Sequence, residues 1–152
     1  MANLKQIQKC LLQQKLHFRV IDLAQEAFTV ADVVDAGIKR DEVVKTLIVR
    51  AGNGSFVALA LRGDDRIDFK KVRGLFGSKT ELARPEEVLV VVGVPIGAVC
   101  PVLVGIPLYF DRKVLGLSNV HMGSGDLKHG LEMKLGDLLK AIGKYQIEEL
   151  TV

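Results

Sequence analysis

Asp41-Glu42-Val43-Val44-Lys45-Thr46-Leu47-Ile48-Val49-Arg50 is the stretch on which the fold turns. Val43 to Val49 is apolar and β-branched, the composition of a strand covered on both faces. Side chains alternate along a strand, so Val43, Lys45, Leu47 and Val49 share one face and Val44, Thr46 and Ile48 the other. Lys45 therefore stands among apolar neighbours on an inward-looking face. A lysine is rarely fully buried without a partner. Either its ammonium snorkels out at the strand's start, or it lines a polar cavity and meets an anionic or carbonyl-bearing ligand. This stretch alone leaves both readings open.

Moving outward, Gly52-Asn53-Gly54-Ser55 reads as a turn and Phe56 to Leu61 as a second apolar strand, which together predict a hairpin. Upstream, Leu4, Ile7, Leu11 and Leu12 recur at helical spacing across Asn3 to Gln14, with Asn3 as N-cap. His17 to Asp22 alternates like a short strand. Thr29 with Asp32 forms a capping-box-like start for a helix over Val30 to Ala36, which Gly37 stops. Downstream, Asp68 caps a helix through Phe76. Pro85 suits the first turn of another helix, and Val88 to Val92 reads either as a buried strand or as the end of that helix. Ile106 to Asp111, Asn119 to Met122 and Leu131 to Leu135 read as strands, and Leu138 to Ile142 as a helix. About seven short strands and about four helices without strict βαβ alternation predict a mixed α+β domain.

The 152 residues suffice for one domain with its own core, and no linker, repeat or low-complexity tract divides 1–152. Aromatics are 5% and Trp is absent, so aliphatic side chains must build that core. The net charge of +3 permits contact with a polyanion without demanding it, whereas a non-specific nucleic-acid coater would be more basic and richer in aromatics. Met1 to Lys15 lacks the apolar core of a signal peptide, and Val88 to Val92 is too short to span a bilayer, so the expectation is a cytoplasmic protein without membrane contact.

Gly93-Val94-Pro95-Ile96-Gly97-Ala98-Val99-Cys100-Pro101 is the second informative stretch. Two glycines and two prolines in an apolar setting make a stiff loop whose N–H groups escape a strand ladder. Such donors can stabilise an oxyanion, or the loop can be a plain structural turn. Cys100 shows no context that would lower a thiol pKa, and Cys10 and Cys100 match no metal or disulfide spacing. His121 and His129 lack partner spacing for a metal, and His17 reads as a surface or turn residue rather than a catalytic base because no nucleophile pairs with it in sequence. Gly123-Ser124-Gly125-Asp126 lacks the ending of a phosphate-binding P-loop. Arg62 to Arg66 reads as a solvated loop or a site rim, and Lys70, Lys71 and Arg73 as a solvated face or a phosphate-facing patch. That inventory fits electrostatic catalysis on an acyl group, and equally a plain anion pocket.

Val43-Val44-Lys45-Thr46-Leu47, Ile67-Asp68-Phe69-Lys70-Lys71-Val72, Gly93-x-x-x-Gly97-x-x-x-Pro101 and Gly130-Leu131-Glu132, in that order, resemble the YbaK/ProX family of free-standing editing deacylases related to the insertion domain of bacterial prolyl-tRNA synthetases. The resemblance implies a compact barrel-like mixed sheet flanked by helices, and hydrolysis of the ester joining a wrong amino acid to the 3′ end of a tRNA, often tRNA(Pro). It implies no cofactor or metal, aminoacyl-tRNA as partner and prolyl-tRNA synthetase as a candidate one. Lys45 would hold the terminal phosphate or the carbonyl region, while amides of Gly97 and Ala98 bind the carbonyl oxygen as it gains charge. Thr46, Gly93, Val99, Cys100, Pro101, Gly123 and Glu132 would shape the substrate pocket, and the substrate's ribose hydroxyl would assist water. Leu23 and Cys100 stand where relatives often carry an aromatic or polar residue and a Ser or Thr. The competing expectation is a non-catalytic tRNA- or nucleotide-binding module or synthetase-associated regulator, whose binding would weaken steeply with salt.

Overall fold

A computed structural model describes residues 3–152. In chain order the helices are α1 (Leu4–Gln13), α2 (Val30–Asp35), α3 (Phe69–Phe76), α4 (Pro85–Val92) and α5 (Leu135–Ile142). The strands are β1 (Arg19–Asp22), β2 (Val44–Arg50), β3 (Phe56–Arg62), β4 (Glu81–Leu82), β5 (Leu108–Asp111), β6 (Asn119–Gly123), β7 (His129–Lys134) and β8 (Gln146–Glu148). The mixed α+β expectation holds. The strands form two sheets, of order β1-β7-β6 and β4-β2-β3-β5-β8, rather than a closed barrel. The sheets touch through one parallel bridge, Val43 to His121. Among the described residues no helix is long and apolar enough to cross a membrane.

β2 and β3 form the predicted antiparallel hairpin, with Lys45 opposite Leu61 and Leu47 opposite Leu59. Both faces are covered, as the apolar run requires. Val44 and Ile48 join a cluster with Phe110, Leu131 and Met133, while Leu47 and Val49 pack with Leu59, Leu61, Val72 and Leu150. Leu59 and Leu61 are fully buried, each a contribution of about 1.5–3 kcal/mol. Lys45 is thus the cation on the face of this second cluster.

The helix caps follow the sequence. Asn3 and Gln6 close a capping box at α1, and Thr29 and Asp32 close another at α2. The Asp68 side chain accepts from the Lys70 and Lys71 N–H groups at the start of α3. Val88 to Val92 is the end of α4 and not a strand: Pro85 opens the helix, and Gly93 ends it in the left-handed conformation at φ +78°. α5 begins at Leu135, three residues before the apolar spacing announced it. β8 carries too few alternating residues to signal itself and is held through its pairing with β5.

Two cationic segments also resolve. Lys71 Nζ donates to the Thr151 carbonyl at 2.9 Å and Arg73 Nε to that of Thr80 at 3.1 Å, so these side chains tie α3 to its neighbours. Arg62 pairs with Asp65 and Arg40 with Asp64, which closes the Arg62 to Arg66 loop beside Lys45.

Candidate active site

Lys45 leaves the β2 backbone toward that loop, and its Nζ donates to the Gly63 carbonyl at 3.0 Å. Gly63 is itself fixed, because its N–H donates to the Val43 carbonyl at 2.8 Å. Burial pushes the Lys45 ammonium below the ordinary lysine value, and the Asp65 and Asp64 carboxylates pull it back up. The cation is therefore half-buried, tethered by one neutral acceptor, and free to direct its other protons elsewhere.

The Gly/Pro loop follows α4. The Ala98 N–H donates to the Pro95 carbonyl at 3.0 Å, closing a turn. Gly97 sits at φ +90°, and a Cβ there would lie 2.7 Å from Phe28 Cα, so only glycine fits this approach. Among the described residues, the Gly97 and Val99 N–H groups donate to no backbone carbonyl. The loop is pinned from the other side by the β6–β7 connection. The Gly125 N–H donates to the Ala98 carbonyl at 2.7 Å, and a Cβ on Gly123 would come within 2.3 Å of the Val99 oxygen.

These segments enclose a cavity of about 360 Å³, within the range of small-molecule sites. Of the residues expected at the site, Lys45, Thr46, Gly97, Val99 and Gly123 line it. Leu23, one of the positions that departs from the family pattern, lines it too. Gly93, Ala98, Cys100, Pro101 and Glu132 are outside the lining. The Ala98 N–H is committed to its turn and is no free donor; the uncommitted amide next along the loop is that of Val99. The Cys100 thiol is 4% exposed, and burial pushes it up to about 12, which leaves no thiolate to act as nucleophile. Glu132 lies 3.0 Å from His121 Nε2 and 3.5 Å from Arg19, so it meets the cavity only through the histidine.

Sequence reasoning missed His121, Asp126, His129 and Phe28, all of which line the cavity. The His121 Nε2 also lies 3.5 Å from Glu42, so the imidazole stands between two carboxylates at the seam between the sheets. Thr46 Oγ1 and His121 Nδ1 are buried without a hydrogen-bond partner among the described residues, and His129 Nδ1 faces Asp126 Oδ1 at 3.4 Å. Such gaps are rare in folded proteins and ask for a reason. Asp126 accepts from the Lys128 N–H, which with the nearby His129 holds its carboxyl below the usual carboxylate range. The only sequence signal for His121, Asp126 and His129 was their place between Asn119 and Gly130, and Phe28 carried none. No group of three or more His, Cys, Asp or Glu side chains among the described residues is arranged to hold a metal ion.

Comparison with known proteins finds relatives of this chain. A family described as the aminoacyl-tRNA editing domain matches residues 24–141. The proline–tRNA ligase of Acidithiobacillus ferrooxidans is 37% identical over 100 residues, 63% of this chain and 17% of that protein. That of Caldicellulosiruptor saccharolyticus is 32% identical over 130 residues, 81% of this chain and 22% of that protein. The chain thus spans about a fifth of the length of these ligases. The crystal structure of a protein proposed as a trans-editing enzyme for prolyl tRNA synthetase superposes with a TM-score of 0.82 at 27% identity, covering 98% of this chain and 96% of that one.

Proposed function

The chain belongs to the aminoacyl-tRNA editing domain family, and we propose that it is an aminoacyl-tRNA deacylase that works in trans on mischarged tRNA(Pro) by the chemistry of the cavity just described. The aminoacyl ester of the terminal ribose enters beside Lys45, whose ammonium holds the carbonyl or phosphate region of the RNA end. Water adds to the ester carbonyl. The oxygen gains charge as it does so, and the unpaired N–H groups of Gly97 and Val99 donate to it. The ribose hydroxyl next to the ester accepts the proton of the attacking water as its own proton passes to the leaving ribose oxygen. The ester then breaks, releasing the amino acid and a free 3′ end.

The observation that supports this reading is that Lys45, Gly97 and Val99 line the same cavity. Lys45→Ala tests it on a panel of mischarged tRNAs. Removing a single preorganised electrostatic group from such a site costs on the order of 10²–10³ in kcat. The variant should lose that much deacylation while melting at the wild-type temperature. Wild-type rates in Lys45→Ala would remove the lysine from the mechanism. Salt-sensitive tRNA binding by the wild-type chain with no release of any amino acid would favour a binding module instead.

A further inference from the structure

Phe28 has no part in the chemistry above, yet its setting is unusual. The chain holds eight aromatic residues, six Phe and two Tyr, and Phe28 is the one among the described residues whose ring is largely exposed, at 49%. It is also part of the cavity lining, together with Ile96, 39% exposed. An exposed apolar patch at the rim of a cavity marks a surface that something covers. The backbone beneath the ring is rigid. The Phe28 N–H donates to Asp32 Oδ2 at 2.9 Å through the α2 capping box, and Phe28 Cα packs directly on Gly97. The ring is thus held next to the loop that offers donors to the ester oxygen.

Resting on the deacylase reading, we propose that Phe28, flanked by Ile96, is the stacking platform for the terminal nucleobase of the aminoacylated RNA. The base is bonded to the same ribose that carries the ester, so an ester held at Gly97 puts the base within one nucleoside of that loop. The deeper apolar lining, Leu23, Ile38 and Val43, is buried and suits the amino-acid side chain. The half-exposed ring at the rim is left for the flat base. Stacking on an aromatic face serves any base and needs no hydrogen-bond code.

The test compares the wild-type chain with Phe28→Ala, Phe28→Leu and Phe28→Trp on two mischarged RNA minihelices, one intact and one ending in an abasic ribose. Phe28→Ala and Phe28→Leu should lose roughly 5- to 150-fold in kcat/KM on the intact minihelix, the range for one base–aromatic stack, and no more than about twofold on the abasic one. Phe28→Trp should match the wild type on both. Thermal melting of each variant accounts for folding. Equal losses on the two substrates would overturn the assignment and give Phe28 to the amino acid or to the fold; no loss on either would overturn it outright. A wild-type chain inert on both minihelices would instead bring down the deacylase reading, and the stacking proposal with it.

Discussion

Gly123→Ala is the change that asks most of the site. The new methyl would stand 2.3 Å from the Val99 oxygen and 2.9 Å from the Ala98 carbonyl carbon and oxygen. All three are backbone atoms, so no rotamer change relieves the clash. Ordinary contact begins at 3.4 Å, and β6 and the loop must separate by about 1 Å. The hydrogen bond from the Gly125 N–H to the Ala98 carbonyl, at 2.7 Å, holds the loop against that movement and must stretch with it. Overpacking of this kind costs about 1–3 kcal/mol, which lowers Tm by roughly 2–12 °C in a chain of this size. The displaced peptide is the one that carries the Val99 N–H, next to that of Gly97. A misplacement of about 1 Å at a reacting centre costs on the order of 10²-fold in rate. Single-turnover release of amino acid from mischarged tRNA, measured well below the new Tm, should therefore fall about a hundredfold. A folded Gly123→Ala protein that melts lower but deacylates at the wild-type rate would refute the oxyanion role of the loop. Wild-type Tm and rate together would refute the packing as well.

Cys100→Ala should keep wild-type deacylation, because a buried thiol raised to about 12 supplies no nucleophile at neutral pH. Native protein at pH 8 should accordingly resist alkylation at Cys100 until it is unfolded, and loss of activity in a folded Cys100→Ala protein would restore a thiol mechanism. Acid should destabilise the fold in a defined window. Asp32, Asp65, Glu87 and Asp126 are held below the usual carboxylate range, chiefly by the Phe28 N–H, the Arg62 guanidinium, the Arg84 N–H and the Lys128 N–H respectively. Their folded pKa lies below the unfolded one, so the stability they give is full above the ordinary carboxylate pKa and is lost as pH falls through the folded values. The urea midpoint should drop below pH about 4, and less steeply in Asp65→Asn; an unchanged slope would deny the Arg62–Asp65 contact that role.

The strands and caps were legible because their causes are local. The apolar run of β2, the Gly-Asn-Gly turn, and the Asn3, Thr29 and Asp68 caps each act within a few residues, and each appears where those residues put it. Val88 to Val92 was ambiguous because an apolar run of five fits a strand or a covered helix turn; Pro85 and Gly93 settle it as a helix. At the site, Lys45 and Gly97 were legible from residue type. The Ala98 N–H is taken up by the turn with Pro95, and which of two adjacent amides stays free depends on that turn, which spacing does not fix. Cys100 packs into the main cluster and Pro101 is buried outside the cavity lining, a choice that tertiary packing makes and the motif does not. His121 was invisible because its partners, Glu42 and Glu132, lie 79 and 11 residues away in sequence.

The seam between the sheets explains why these residues meet at all. Val43 pairs with His121 in parallel, and a ladder continued in that register would set Lys45 beside Gly123. The ladder stops after one bridge. Lys45 turns to the Gly63 carbonyl, Gly123 receives the 98–99 peptide, and the space between the diverging strands is cavity. Ending a ladder early forfeits hydrogen bonds, and Thr46 Oγ1 and His121 Nδ1, beside the break, remain without partners among the described residues. Each buried unpaired polar atom costs about 1–3 kcal/mol, a sizeable share of the roughly 5–15 kcal/mol that holds an ordinary fold. A ladder continued as far as Lys45 and Gly123 would close that space. The open seam is therefore the structural price of holding a cation, two unpaired amides and a buried histidine around one ligand-sized space.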